Sequence, residues 1–179
     1  MKRYLAFLRG INISGKNKLS MAQLKTQFEA LGYFEVKTYL NSGNVVFSCE
    51  ESEETALAAQ IEQRIKETAG LAIPVFVIAQ QKLETLLRHA PDWWGTDDKA
   101  VYDNLVFILP PATFAEIYEA IGVPKEGLEQ IEPYGGAVFW SFDRKAYQKT
   151  NWWPKTAGAA VRDKLTIRTA GTVRKVCSM

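Results

Sequence analysis

One histidine and two cysteines are all that 179 residues offer to metal or thiol chemistry. Cys49 and Cys177 lie far apart in sequence and share no ligand spacing with His89, so no metal site is expected. A Ser-His-Asp or Cys-His system would have to use His89, which precedes Ala90-Pro91, and no nucleophile can be placed near it. A helix-ending or surface histidine is the plainer reading. Long apolar runs are also missing: none approaches the roughly 18 residues of a membrane span. Met1-Lys2-Arg3-Tyr4-Leu5 leads straight into a strand-like run rather than a signal peptide. The expectation is a cytoplasmic protein with reduced thiols, no cofactor and no membrane partner.

What is present is an ordinary globular composition, 47% hydrophobic and 23% charged, in a chain long enough for one domain or two small ones. The net charge of +2 is unevenly spread. It is +5 over residues 1–49, −3 over 50–90, −8 over 91–143 and +8 over 144–179. Two readings stay open: the basic ends pair with the acidic middle or are simply solvated, or they build one basic patch.

Periodicity and punctuation divide the chain. Tyr4 to Leu8 is apolar without alternation, as in a strand covered on both faces. Ser20-x-x-Gln23 is a capping box, and Met21, Leu24, Phe28 and Leu31 follow at helical spacing up to Gly32. Val36 to Phe47, broken by Asn41-Ser42-Gly43-Asn44, predicts a hairpin. Glu53 to Ala69 predicts a helix ended by Gly70, Ile73 to Ala79 a strand, and Gln80 to His89 a helix. Pro91 to Lys99 is a turn-rich connection.

The order then repeats. Leu105 to Leu109 is a strand, and Phe114 to Ile121 a helix stopped by Gly122. Leu128 to Tyr134 and Ala137 to Phe142 form a hairpin around Gly135-Gly136. Ala157, Val161 and Leu165 predict a helix after Pro154, Thr166 to Thr169 a strand, and Val173 to Cys177 a last helix. Each half reads β-α-β-β-α-β-α. The predicted fold is α+β: two split-βαβ, ferredoxin-like modules over residues 1–90 and 100–179, each with an extra helix on a mainly antiparallel sheet.

The densest chemistry lies between the first strand and first helix. Arg9, Asn12, Lys16, Asn17 and Lys18 stand among Gly10, Ser14 and Gly15. Main-chain N–H groups and cations in such a loop hold a phosphate or carboxylate; the alternative is a structural loop with solvated cations. Gly10 to Asn17 nearly matches the nucleotide-binding P-loop. Asn17, however, replaces the magnesium-holding hydroxyl, the helix starts late, and the topology is antiparallel. In a split-βαβ unit the end of the first strand lies beside the start of the third. Ser42 and Asn44 are therefore expected to join the same site, unless the turn serves only the hairpin.

Asp97-Asp98 reads as a solvated turn. Trp93-Trp94 and Trp152-Trp153 read as core or packing residues, with stacking on bases a minority reading. No Lys/Arg-Gly-Phe/Tyr motif of the RNA-recognition type is present.

Leu8-Arg9-Gly10-Ile11-Asn12, followed by Gly15-Lys16-Asn17-Lys18, Met21 and Leu24, resembles the opening signature of the domain-of-unknown-function 1697 family. Thr38-Tyr39 with Asn41-Ser42-Gly43-Asn44-Val45-Val46-Phe47 resembles its second signature. The C-terminal pattern departs: Arg168 and Thr172-Val173 fit, but Thr169 and Ala170 stand where Asn and Trp are expected. The resemblance implies a small bacterial α/β protein of two similar halves and brings no known reaction. Three functions stay open. One is a binder of a phosphorylated or other anionic ligand. Another is an enzyme on such a ligand, with Lys16 or Arg9 stabilising developing charge. The third is a nucleic-acid binder using the basic termini. The sequence assigns no oligomeric state.

Overall fold

The computed structural model describes residues 1–179. The first seven elements are β1 (Lys2–Leu8), α1 (Met21–Ala30), β2 (Phe34–Tyr39), β3 (Asn44–Cys49), α2 (Glu54–Ala69), β4 (Val75–Ala79) and α3 (Gln80–Arg88). There follow β5 (Val101–Ile108), α4 (Phe114–Ile121), β6 (Glu129–Tyr134), β7 (Ala137–Asp143), α5 (Trp152–Thr156), β8 (Leu165–Thr169) and α6 (Ala170–Cys177). They build two four-stranded antiparallel sheets, ordered β2-β3-β1-β4 and β6-β7-β5-β8. Both orders are the split-βαβ arrangement expected from the sequence. The chain divides into two compact units, residues 1–84 with 176–179, and residues 85–175.

Local chemistry explains most boundaries. The Ser20 hydroxyl accepts from the Gln23 amide while Gln23 reaches back to the Ser20 amide, and Thr113 with Glu116 does the same for α4. Gly70 ends α2 in the left-handed conformation, with φ of +68°. In the first unit, alternate residues Tyr4, Ala6 and Leu8 of β1 join Leu24, Phe28, Leu57, Ile61 and Ile65 of the two helices in one core. Leu5 and Phe7 point the other way and are buried as well, which accounts for a strand without polar alternation. In the second unit, Val106 and Ile108 of β5 meet Ile117, Ile121, Trp140 and Trp152.

One element differs from expectation. The helix read from Ala157, Val161 and Leu165 is instead the five-residue α5, which starts before Pro154. The chain then turns at Gly158, where Val161 and Arg162 both donate to the Gly158 carbonyl. Leu165 opens β8, opposite Ile108. Val161 and Leu165 are both buried, so their four-residue spacing reflects one shared core and not one helix. Trp152 and Trp94 are core residues: their indole N–H groups donate to the Gly122 and Asn104 carbonyls.

The turn from β2 to β3 depends on Gly43. Its φ is +80°, and a Cβ there would lie 2.7 Å from the Leu8 Cβ and 2.9 Å from Ile11. A side chain is therefore excluded by both conformation and space. Gly43→Val is expected to destabilise by about 3 kcal/mol or more. Ser42→Ala loses one acceptor for the Asn44 amide, which keeps its bond to the Tyr39 carbonyl, and should cost about 1 kcal/mol or less. Denaturation midpoints of the two variants check this; equal, small shifts would contradict it.

Candidate functional site

The end of β1 is held from both sides. The Leu8 amide donates to the Gly43 carbonyl at 2.9 Å, and the Arg9 amide donates to the Pro74 carbonyl at 2.9 Å. Phe7 pairs with Asn44, so the adjacency of the first loop and the β2–β3 turn follows from the sheet register. From there the chain takes residues 9–20 to reach α1, whereas the same crossing in the second unit takes residues 109–113. The extra length belongs to the first unit alone.

That loop is built, not slack. Gly10, Asn12, Ser14, Gly15 and Asn17 all have positive φ, which Gly and Asn adopt most readily. The Lys16 amide closes a tight turn on the Ile13 carbonyl, and the Asn12 amide donates to the Asn17 carbonyl. The Asn17 side chain donates to the Gly10 carbonyl at 2.9 Å. Asn12 makes three side-chain bonds. Its Nδ2 donates to the Leu19 and Asn41 carbonyls at 2.8 and 2.9 Å, and its Oδ1 accepts from the Leu19 amide at 2.9 Å. Ile11 and Leu19, both buried, anchor the two ends.

The expected residues thus take two kinds of position. The side-chain amides of Asn12, Asn17 and Asn44 bond to the chain itself, and Asn44 is fully buried. Ser42 accepts from Asn44 at 3.0 Å. Arg9 is half-buried. Lys16 and Lys18 are exposed, and neither enters an ion pair or hydrogen bond through its ammonium.

An open concavity of about 550 Å³ lies where the loop meets the helix. It is bordered by Asn12 and Lys18 of the loop, Ser20, Met21 and Gln23 at the start of α1, and Asn41 of the turn. Arg9, Lys16, Asn17, Ser42 and Asn44 do not line it. Ser20, Gln23 and Asn41 carry a second role that sequence reasoning passed over, because a capping box and a turn residue are complete explanations by themselves. The first N–H groups of a helix have no intrahelical partner. Here the box takes up the Gln23 amide, and the positive end of α1 opens beside Lys18.

Elsewhere the histidine, the thiols and several carboxylates are tied into the fold. His89 Nδ1 lies 2.8 Å from the Thr85 carbonyl, so it carries the proton, and the ring stacks on Tyr134. Burial pushes the Cys177 thiol up to about 11, with the Glu84 charge adding to it, and burial also raises Cys49. No group of three or more His, Cys, Asp or Glu side chains is placed to hold a metal ion. A second concavity of about 390 Å³, in the other unit, has mixed charge. Asp98 there accepts from the Ala100 amide, Asp103 accepts from Ser141, and the Arg144 guanidinium sits 4.6 Å over the Tyr102 ring.

The model of a family described as "Protein of unknown function (DUF1697)" matches residues 1–139. That range contains the whole loop, the β2–β3 turn and the groove between them. Among solved structures, a conserved bacterial protein from Streptococcus pneumoniae is similar with a TM-score of 0.86 and 25% identity, over 99% of this chain and 97% of that one. No curated protein matches the chain.

Two outcomes follow from this geometry. Asn12→Ala removes three bonds, each worth about 0.5–1.5 kcal/mol net, and should destabilise by roughly 1.5–4.5 kcal/mol in urea titration. The second concerns the thiols. With both pKa values raised and both side chains buried, native Cys49 and Cys177 should react with a disulfide reagent at pH 8 far more slowly than the urea-unfolded chain. Native and unfolded rates that agree within a few-fold would contradict the burial of the thiols.

Proposed function

As the chain belongs to the DUF1697 family, whose description assigns no activity, we propose from the site itself that it binds a small phosphorylated or otherwise anionic ligand in the groove at the start of α1. Lys18 supplies the contacting cation. Lys16 and Arg9, on the same loop, add positive potential. Asn12, Asn17, Ser42 and Asn44 serve by holding loop and turn in shape. One observation carries the reading: an exposed lysine without a counter-ion borders a concavity at a helix N-terminus, on a loop that the second unit lacks. The absence of any acidic residue before Glu29 adds to the local field.

Binding is favoured over catalysis because no carboxylate, histidine or cysteine lines the groove to move a proton or attack a substrate. A magnesium-nucleotide mode is disfavoured. Lys16 sits in a tight turn before the helix begins, Asn17 spends its side chain on Gly10, and the sheet is antiparallel. No helix of the chain is long and apolar enough to cross a membrane.

A thermal-shift panel of inorganic phosphate, sugar phosphates, nucleotides and a short oligonucleotide tests the reading. At least one small anion should give saturable stabilisation. Lys18→Ala should weaken it about tenfold, more than Lys16→Ala, with little change in the melting temperature of the free protein. Saturation by no small anion, or an affinity indifferent to Lys18→Ala, would overturn it. A response to the oligonucleotide alone, steeply lost with salt, would transfer the site to nucleic acid.

A further inference from the structure

The loop and the turn also present apolar side chains that the fold does not use. Ile13 is 60% exposed and Leu40 is 56% exposed. Each is the chain neighbour of a residue that borders the groove, Asn12 and Asn41 respectively, and the Asn12 side chain joins these two segments through the Asn41 carbonyl. Ile13 contributes its carbonyl to the tight turn, which any residue would supply. Leu40 is held at φ of +56°, where Gly or Asn is at ease and a leucine is strained. Both positions therefore carry an aliphatic side chain that turn geometry does not call for. Single exposed aliphatics are ordinary on protein surfaces. Here two of them adjoin, in the chain, the hydrogen-bonded residues Asn12 and Asn41 of one concavity; Ile13 and Leu40 do not line it themselves, whereas Leu19 and the half-buried Met21 do.

Resting on the anion-binding reading above, we infer that the ligand is an amphiphilic anion, one with an apolar alkyl or aryl part joined to the charged group that Lys18 receives. The volume of about 550 Å³ is that of a small-molecule site and exceeds what a bare phosphate needs. Met21 offers an unbranched, adaptable surface for the apolar part, and Ile13 and Leu40, exposed at the rim beside Asn12 and Asn41, extend it for a ligand that projects beyond the concavity. Lys18 and Met21, three positions apart in the chain, both border the concavity, so it offers a charged and an apolar contact.

Titration calorimetry of the full chain with inorganic phosphate, phenyl phosphate and hexyl phosphate tests this. The two organic phosphates should bind at least about tenfold more tightly than inorganic phosphate, the margin expected from burying an alkyl or aryl group. Leu40→Asn suits the backbone conformation, so it should leave the melting temperature equal or higher while removing most of that margin. Ile13→Ser should act in the same direction. Lys18→Ala should weaken all three ligands. Equal affinity for phosphate and phenyl phosphate, or a margin untouched by Leu40→Asn and Ile13→Ser, overturns the amphiphile and leaves the anion site standing. Failure of all three ligands to bind overturns the amphiphile, and the anion site falls with it when the sugar phosphates and nucleotides of the thermal-shift panel fail as well. Retention on phosphatidic acid vesicles without binding of soluble hexyl phosphate overturns the inference in favour of a lipid surface.

Discussion

The side chain of Asn12 is the contact on which the arrangement of the first unit's loop depends. A twelve-residue crossing has no strand or helix to satisfy its backbone polar groups, and buried ones left unpaired are costly. One amide addresses this at both ends. It bonds both backbone groups of Leu19, where the chain turns into α1, and the carbonyl of Asn41, which belongs to the hairpin turn. The groove exists because these segments are kept together. Gly43 makes the complementary contribution by having no side chain, so Leu8 and Ile11 can close against the turn.

The second unit shows what the same topology does without that loop. Its crossing is short and runs through Pro110-Pro111, and its organising group is a buried carboxylate instead. Glu129 accepts from the amides of Lys125, Asn151 and Trp152 and from the indole of Trp140. These bonds fix the irregular stretch that stands where the first unit has the long helix α2. Register makes the comparison concrete. Lys2 lies opposite Cys49 and pairs with Glu51, whereas Tyr102, opposite Phe142, is covered by Arg144. An ion pair at one sheet end is matched by a cation over an aromatic ring at the other, although no residue repeat is legible between the halves.

Much of the fold was legible because its determinants are local. The capping box at Ser20, glycines after helices and apolar runs in central strands act within a few residues, and the structure has each of them; the equally local box at Thr113 went unread. The misread helix at Ala157 to Leu165 shows the limit. Four-residue spacing is a helical signal only when one helix carries it, and here a glycine turn and a strand shared the same core. The density of Gly, Asn and Lys singled out a loop that borders a concavity. It did not separate asparagines that bond to the backbone from lysines that face solvent, because composition is silent about where a side chain's hydrogen bonds go.

The sequence by itself determined two βαββαβ halves, the capped start of α1, the tight turn at Gly43 and the nearness of loop to turn. These follow from periodicity, backbone stereochemistry and the strand order such a pattern permits. The tertiary structure alone decided that Lys18 rather than Lys16 borders the groove and that Asn41 enters it. Those outcomes depend on hydrogen bonds between segments some thirty positions apart, such as Asn12 to Asn41. No local pattern encodes such a bond, because it forms only after the sheet has brought its partners together.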